Sequence, residues 1–114
     1  MSNVNFVLIS GNLVKNAELR SLPSGLGVLT FRLASTRRGK ETEDTCFIDV
    51  DLFKDMSVAT TLLQYLNKGK AIFVQGRLVL DQWKDKQGEA HQKIKIIGDK
   101  IEFIGAKDTS SEGE

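Results

Sequence analysis

Residues 68–83 read KGKAIFVQGRLVLDQW, and no other stretch of the chain sorts its side chains so cleanly onto two faces. Successive side chains of a strand point to opposite sides. Ile72, Val74, Gly76, Leu78 and Leu80 therefore share one side, which belongs in a core. Phe73, Gln75, Arg77, Val79, Asp81 and Trp83 share the other, which carries an arginine and the chain's only tryptophan. An indole beside a guanidinium suits a planar, anionic ligand. The polar run KDKQG at 84–88 follows, so Trp83 is expected at the base of a hairpin arm.

On the N-terminal side of this stretch, residues 55–67 change period. Ala59, Leu62, Leu63 and Leu66 recur at helical spacing, with Asp55 or Ser57 available as N-cap and Gly69 placed to end the helix in a left-handed cap. On the C-terminal side, HQKIKIIGDKIEFI at 91–104 alternates through Ile94 and Ile96, shifts parity at Gly98 and resumes with Ile101 and Phe103, as a glycine bulge would produce. His91 stands alone in a polar hairpin and reads as a solvated or phosphate-facing residue, because no serine, cysteine or carboxylate set is spaced to use it as a base.

Earlier in the chain, CFIDVDLF at 46–53 gives an apolar face of Cys46, Ile48, Val50 and Leu52. The opposite face combines Phe47 and Phe53 with Asp49 and Asp51. Aromatics on a polar face either pack beneath a neighbouring element or form a platform for stacking. VLTFRLAS at 28–35 groups Leu29, Phe31 and Leu33 and leaves Thr30, Arg32 and Ala34 opposite. TRRGKETED at 36–44 is a charged loop that gains interest from Arg37 and Arg38 beside that aromatic strand. VNFVLISGNL at 4–13 is apolar on both parities: Val4, Phe6 and Leu8 against Val7, Ile9 and Leu13. Such a strand needs cover on both faces, from a neighbouring subunit or from within the chain, and Gly11 suggests a bend or bulge. Residues 15–20 are polar, and SLPSGLG at 21–27 reads as a turn.

The order is strand, strand, strand, helix, strand, strand. It matches a mainly β, five-stranded Greek-key OB-fold barrel with one helix between the third and fourth strands. At 114 residues the chain fits one domain. Residues 1–105 are expected to form it, with 106–114 as a short polar, disordered tail. No run approaches the roughly 20 apolar residues of a membrane helix. The start has no basic region followed by an apolar one. One cysteine and one histidine supply neither an internal disulfide nor a structural zinc site, which points to the cytoplasm and to no metal or other cofactor. The last eight residues carry −2, so the preceding 106 carry +3 against a total of +1. A charge this small means that any nucleic-acid site depends on local clustering and stacking.

VNFVLISGNL, AELRSLPSG, FRLAS, CFIDVDLF, YLNKGKAIFVQGRL and WKDKQGE, in that order, closely resemble the motifs of bacterial single-stranded DNA-binding proteins, over about residues 3–104. The resemblance implies an OB-fold, assembled as a homotetramer (a dimer being the alternative), that wraps single-stranded DNA with little sequence preference in replication, repair and recombination. It implies a place at the bacterial nucleoid. It also implies that Phe47, Phe53 and Trp83 stack on bases and that Lys68 faces the backbone. Arg37 and Arg38 occupy a loop where relatives make charged and aromatic contacts. Arg32, Lys54, Arg77 and Lys84 complete the expected phosphate contacts.

Two departures lower the expected affinity. Relatives from enteric bacteria carry a further tryptophan where this chain has TRRG, and relatives often place basic residues where it has Asp81 and Gln82. Relatives also continue through a long linker to an acidic tip that recruits replication and repair proteins. Here the last residues are SSEGE, so either the natural chain is longer or that recruitment is lacking. Two other classes compete. An enzyme would use Asp49, Asp51 and Asp55 as metal ligands, but no histidine cluster, phosphate-cradling loop or activated nucleophile accompanies them, so no enzymatic activity is expected. A primosomal-type OB-fold accessory protein would act mainly through protein partners. The set of Trp83, Phe47 and Phe53 favours DNA.

Overall fold

The computed structural model describes residues 2–105; the expected tail at 106–114 lies outside the described residues. In chain order the elements are β1 (Val7–Leu13), β2 (Glu18–Ser21), β3 (Leu26–Arg38), β4 (Glu43–Asp55), α1 (Met56–Leu63), β5 (Ala71–Lys84) and β6 (Ala90–Phe103). The sheet runs β1-β5-β6-β4-β3-β2, and a further β1–β3 pairing through Asn12↔Ala34 and Leu13↔Leu33 closes five of the strands into a ring. Closure leaves no open edge in the ring, which is how a small β-protein avoids unpaired backbone. β4 and β6 meet in parallel, with Val50↔Ile96 and Leu52↔Gly98. The other neighbours are antiparallel.

The sixth strand, β2, was not expected. It pairs only with the first part of β3, from Glu18↔Thr30 to Ser21↔Gly27, on the edge whose later part is taken by β1. Only Leu19 of its four residues is half-buried, so a strand this short and polar leaves no alternation to read.

Inside the ring, the alternating residues Leu29, Phe31 and Leu33 of β3, Val50 and Leu52 of β4, Ile72 and Val74 of β5, and Ile96 of β6 are buried together. Ala59 of α1 and Leu66 beyond it plug one end of this core, while Leu62 and Leu63 pack against it from half-buried positions. The helix starts at Asp55, whose side chain makes no capping bond. It is shorter than expected. After Leu63 the chain tightens, with Tyr65 N–H to Leu62 O and Leu66 N–H to Leu63 O. Gly69 is left-handed at φ 88°, but it serves the turn into β5, where its N–H bonds Leu13 O, rather than the helix end.

Two apolar faces leave the core before their patterns end. Leu78 and Leu80 are exposed although they continue the parity of Ile72 and Val74, and Cys46 is exposed although it continues that of Val50. Length is the reason. At about 3.3 Å per residue, β5 spans roughly 45 Å, more than a small barrel can enclose. Beyond Gly76 the β5–β6 hairpin is therefore an arm. Its root is irregular: Gln75 pairs with Lys100 but Gly76 with Gly98, so Asp99 is the extra residue of the bulge expected at Gly98. Val7 and Ile9 are half-buried and Leu13 is buried, whereas Val4, Phe6 and Leu8 remain exposed, so no described residue covers the second face of β1.

Candidate nucleic-acid interface

The outer faces of β3, β4, β6 and β5 form one continuous surface, and the register decides which side chains meet on it. Phe47 lies opposite Ala34, Asp49 opposite Arg32 and Asp51 opposite Thr30. Along the arm, Arg77 lies opposite Ile97, Asp81 opposite Lys93 and Trp83 opposite His91, so Trp83 stands beside the turn at the tip of the arm and not, as expected, at its base. Phe47, Phe53 and Trp83 are 55%, 40% and 44% exposed, too open for core residues. Phe47 and Phe53 are six residues apart on one strand face, about 20 Å.

Phe47 and Trp83 have different neighbours. The Arg32 guanidinium sits over the Phe47 ring, 5.6 Å from its centroid, and the two share a shallow hollow with Val14. Trp83 lies flat against His91, with ring centroids 5.6 Å apart and planes 18° from parallel. His91 Nε2 is 2.8 Å from Asp85 Oδ2, and Asp85 Oδ1 accepts the N–H groups of Gln87 and Glu89. These bonds, first the one from His91 and next that from Glu89, hold the Asp85 carboxyl below its ordinary pKa of 3.8. His91 is thus neither isolated nor merely solvated: it backs the indole and is itself held by the turn. Asp85, Glu89 and His91 bring donor atoms within 4.8 Å of one another, but both Asp85 oxygens are already engaged.

Between the aromatics the surface is a lattice of ion pairs. Asp49 bonds Lys93 of β6 through Oδ2 and lies 3.8 Å from Arg32 through Oδ1. Lys95 reaches Asp51 at 2.7 Å and Asp81 at 3.7 Å, while the Thr30 hydroxyl donates to Asp51. The Asp51 bond raises the Lys95 pKa above its ordinary 10.5, against the opposing effect of partial burial. Asp49 and Asp51 therefore have lysine partners, and Asp55 stands at the start of α1, away from both.

The other expected contacts divide. Arg32, Arg77, Phe47 and Trp83 come to the common face. Lys68 joins its edge: its N–H bonds the Asn16 side chain, from the same β1–β2 connection that supplies Val14 to the Phe47 hollow. Arg37 and Arg38 ride the far end of the β3–β4 hairpin, where Arg38 pairs with Glu43 at 2.6 Å. Lys54 stands on the opposite parity of β4 from Phe53, and Lys84 on the opposite parity of β5 from Trp83. Among the described residues Arg37, Lys54, Lys68, Arg77 and Lys84 make no ion pair. The sequence reading missed Lys93, Lys95 and the indole-backing role of His91. The lysines were visible as the partners of Ile94 and Ile96 in the alternation KIKI.

A ring of five strands with a helical plug between the third and fourth strands of the ring, carrying exposed aromatics on one outer face, defines an OB-fold of the kind that binds extended polymers across its strands. Comparison with known proteins narrows this. The pattern of the "Single-strand binding protein family" matches residues 4–104, and the chain belongs to that family. It is 40% identical to the single-stranded DNA-binding protein of Helicobacter hepaticus, over 95% of this chain and 65% of that protein. The corresponding protein of Wolinella succinogenes is 36% identical, over 96% of this chain and 69% of its own length. The chain thus spans about two thirds of the length of these relatives. The solved structure "Plasmodium falciparum SSB complex with ssDNA" superposes with a TM-score of 0.79 at 24% identity, covering 92% of this chain and 98% of that one, and supports the fold.

Proposed function

We propose that residues 1–105 bind single-stranded DNA without regard to sequence, as a non-enzymatic protector of exposed strands in replication, recombination and repair. Phe47, Phe53 and Trp83 receive bases, Arg37, Arg38, Lys54, Lys68, Arg77 and Lys84 serve phosphates along the path, and Arg32 backs the Phe47 ring. The observation that carries this reading is the exposure of Phe47 and Trp83 on one face, each backed by a cation or imidazole, where a folded core has no use for them. Stacking contributes about 1–3 kcal/mol per base and is indifferent to base identity, because every base has a π-face. A duplex keeps those faces covered. This favours DNA over a purely protein-binding role.

The protein works in the cytoplasm, at the nucleoid, and as an oligomer. Phe6 and Leu8, each 61% exposed, continue with Phe73 along the outer face of β1 and β5. A second copy of β1 supplies suitable cover, in a tetramer or a dimer. Recruitment of replication and repair proteins belongs to any longer acidic C-terminal tail.

The test is titration with a polythymidine oligonucleotide while following tryptophan emission, which reports Trp83 alone. Quenching that persists as salt rises is the expected result. No quenching and no retained oligonucleotide at low salt would overturn the proposal. Light scattering on the same sample measures the assembly.

A further inference from the structure

We infer that Asp49 is a selectivity residue: its carboxylate clasps Arg32 and Lys93 together, withholds both from phosphates, and so disfavours duplex DNA more than single strands. The inference rests on the binding proposed above and adds what makes the face selective. The Asp49 oxygens are divided between two strands, Oδ2 to Lys93 of β6 and Oδ1 to Arg32 of β3. The adjoining hollow is built in the same way. Three carboxylates, Asp49, Asp51 and Asp81, line it against Arg20, Lys93 and Lys95. The centre of a face flanked by exposed aromatics is thus close to neutral, in a chain whose formal charge is only +1.

The consequence follows from what each ligand offers. A duplex presents phosphates outward and keeps its bases in the stack, so its affinity comes from cations and the counterions they release. To use Lys93 or Arg32 it must break their contacts with Asp49 and then lie against the carboxylate it displaced. A single strand meets the same carboxylate, but its bases reach Phe47 and Trp83 and recover the loss by stacking. Discrimination thus comes partly from repelling the wrong ligand.

The experiment compares the wild-type chain with Asp49→Asn, which keeps the shape and removes the charge, and with Lys93→Gln alone and combined with Asp49→Asn. Binding to a polythymidine oligonucleotide and to a blunt duplex is measured across a salt series, with thermal melts as a check on folding. Freeing two cations steepens the slope of log K against log salt by about 1.4 on single strands and about 1.8 on duplex. Between roughly 200 and 50 mM salt this is an added gain of about sevenfold for single strands and about twelvefold for duplex, so the duplex-to-single-strand ratio rises. Lys93→Gln alone leaves the slope near wild type, but in the Asp49→Asn background it lowers the slope by about 0.7 on single strands. Wild-type slopes for Asp49→Asn, an unchanged affinity ratio, or a full one-cation loss for Lys93→Gln alone would each overturn the inference. If Asp49→Asn fails to fold, the Lys93→Gln slope alone decides. Failure of the wild-type protein to bind polythymidine at all would instead remove the proposed function.

Discussion

Replacing Gly76 by alanine should cost far more than the same change at its partner Gly98, although both sit in one bulge. A Cβ built on Gly76 falls 2.1 Å from Ile97 O and 3.0 Å from both Ile97 C and Gly98 Cα, all backbone atoms of β6. Carbon and oxygen across a sheet stay apart by about 3.3 Å, so the two strands must separate by roughly 1 Å. That weakens the ladder bonds beside the bulge, at about 1 kcal/mol each. Overpacking adds about 1–3 kcal/mol. A total near 3 kcal/mol is a large part of the roughly 5–15 kcal/mol that holds a domain folded. It corresponds to a melting point about 12 °C lower for a chain of this size. On Gly98 the new methyl meets Leu52 Cδ1 at 3.3 Å and the Val50 and Val74 methyls at 3.5 Å, side-chain atoms that can give way. There the cost should stay within about 1 kcal/mol. Thermal and urea melts of the two variants beside the parent measure the difference. If Gly98→Ala costs as much as Gly76→Ala, or Gly76→Ala melts within a few degrees of the parent, the close approach is not what the glycine is for.

Phe47→Ala should weaken polythymidine binding about tenfold while leaving the salt slope unchanged, because a stacking contact carries no counterion; a slope lower by a full cation would show that Phe47 acts through a phosphate contact rather than by stacking. Leu8→Glu should reduce the particle mass in light scattering without unfolding the chain, and an unchanged mass would remove the outer face of β1 as the interface. Asp85, whose carboxyl lies below its ordinary 3.8, should stabilise the arm fully above that pH and lose this contribution as pH falls through the lower folded value. The unfolded turn takes up its proton first on acidification, so the amide resonances of Gln87 and Glu89, which donate to Asp85, should move only below 3.8. A midpoint at or above 3.8 would contradict the hydrogen-bonding account.

Alternation told which side chains of each long strand face together, because period two is a local property. It did not tell where a strand leaves the barrel. Ile72 and Leu80 obey the same pattern, yet one is buried by β1 on one side and β6 on the other, while the second has only the arm for company. The limit is set by β1, whose pairing with β5 ends at Val7↔Gly76, and nothing inside residues 68–83 records the length of β1. Beyond that point the side chain of Asn5 holds both the N–H and the C=O of Leu78, a last substitute for a strand neighbour. β2 was missed for a complementary reason, being defined by its partner rather than its own residues.

The site divides along the same line. Phe47, Phe53 and Trp83 were legible because an aromatic on a polar parity stands out within one strand. The ion pairs were not, since Lys93 and Asp49 are 44 positions apart in the chain, as are Lys95 and Asp51. They meet only because β4 and β6 are parallel neighbours in a particular register, and a slip of one residue would turn both lysines inward. The bulge at Asp99 resolves a conflict in that strand. Before it, Ile94 and Ile96 take the inner parity and Lys93 and Lys95 the outer; after it, Ile101 lies opposite the buried Val74. Without the extra residue, β6 could either fill the barrel near Val74 or present its lysines to Asp49 and Asp51, but not both. The close approach at Gly76 and the charge pattern of the face are therefore one requirement, and a change that moves the bulge should alter salt dependence as well as stability.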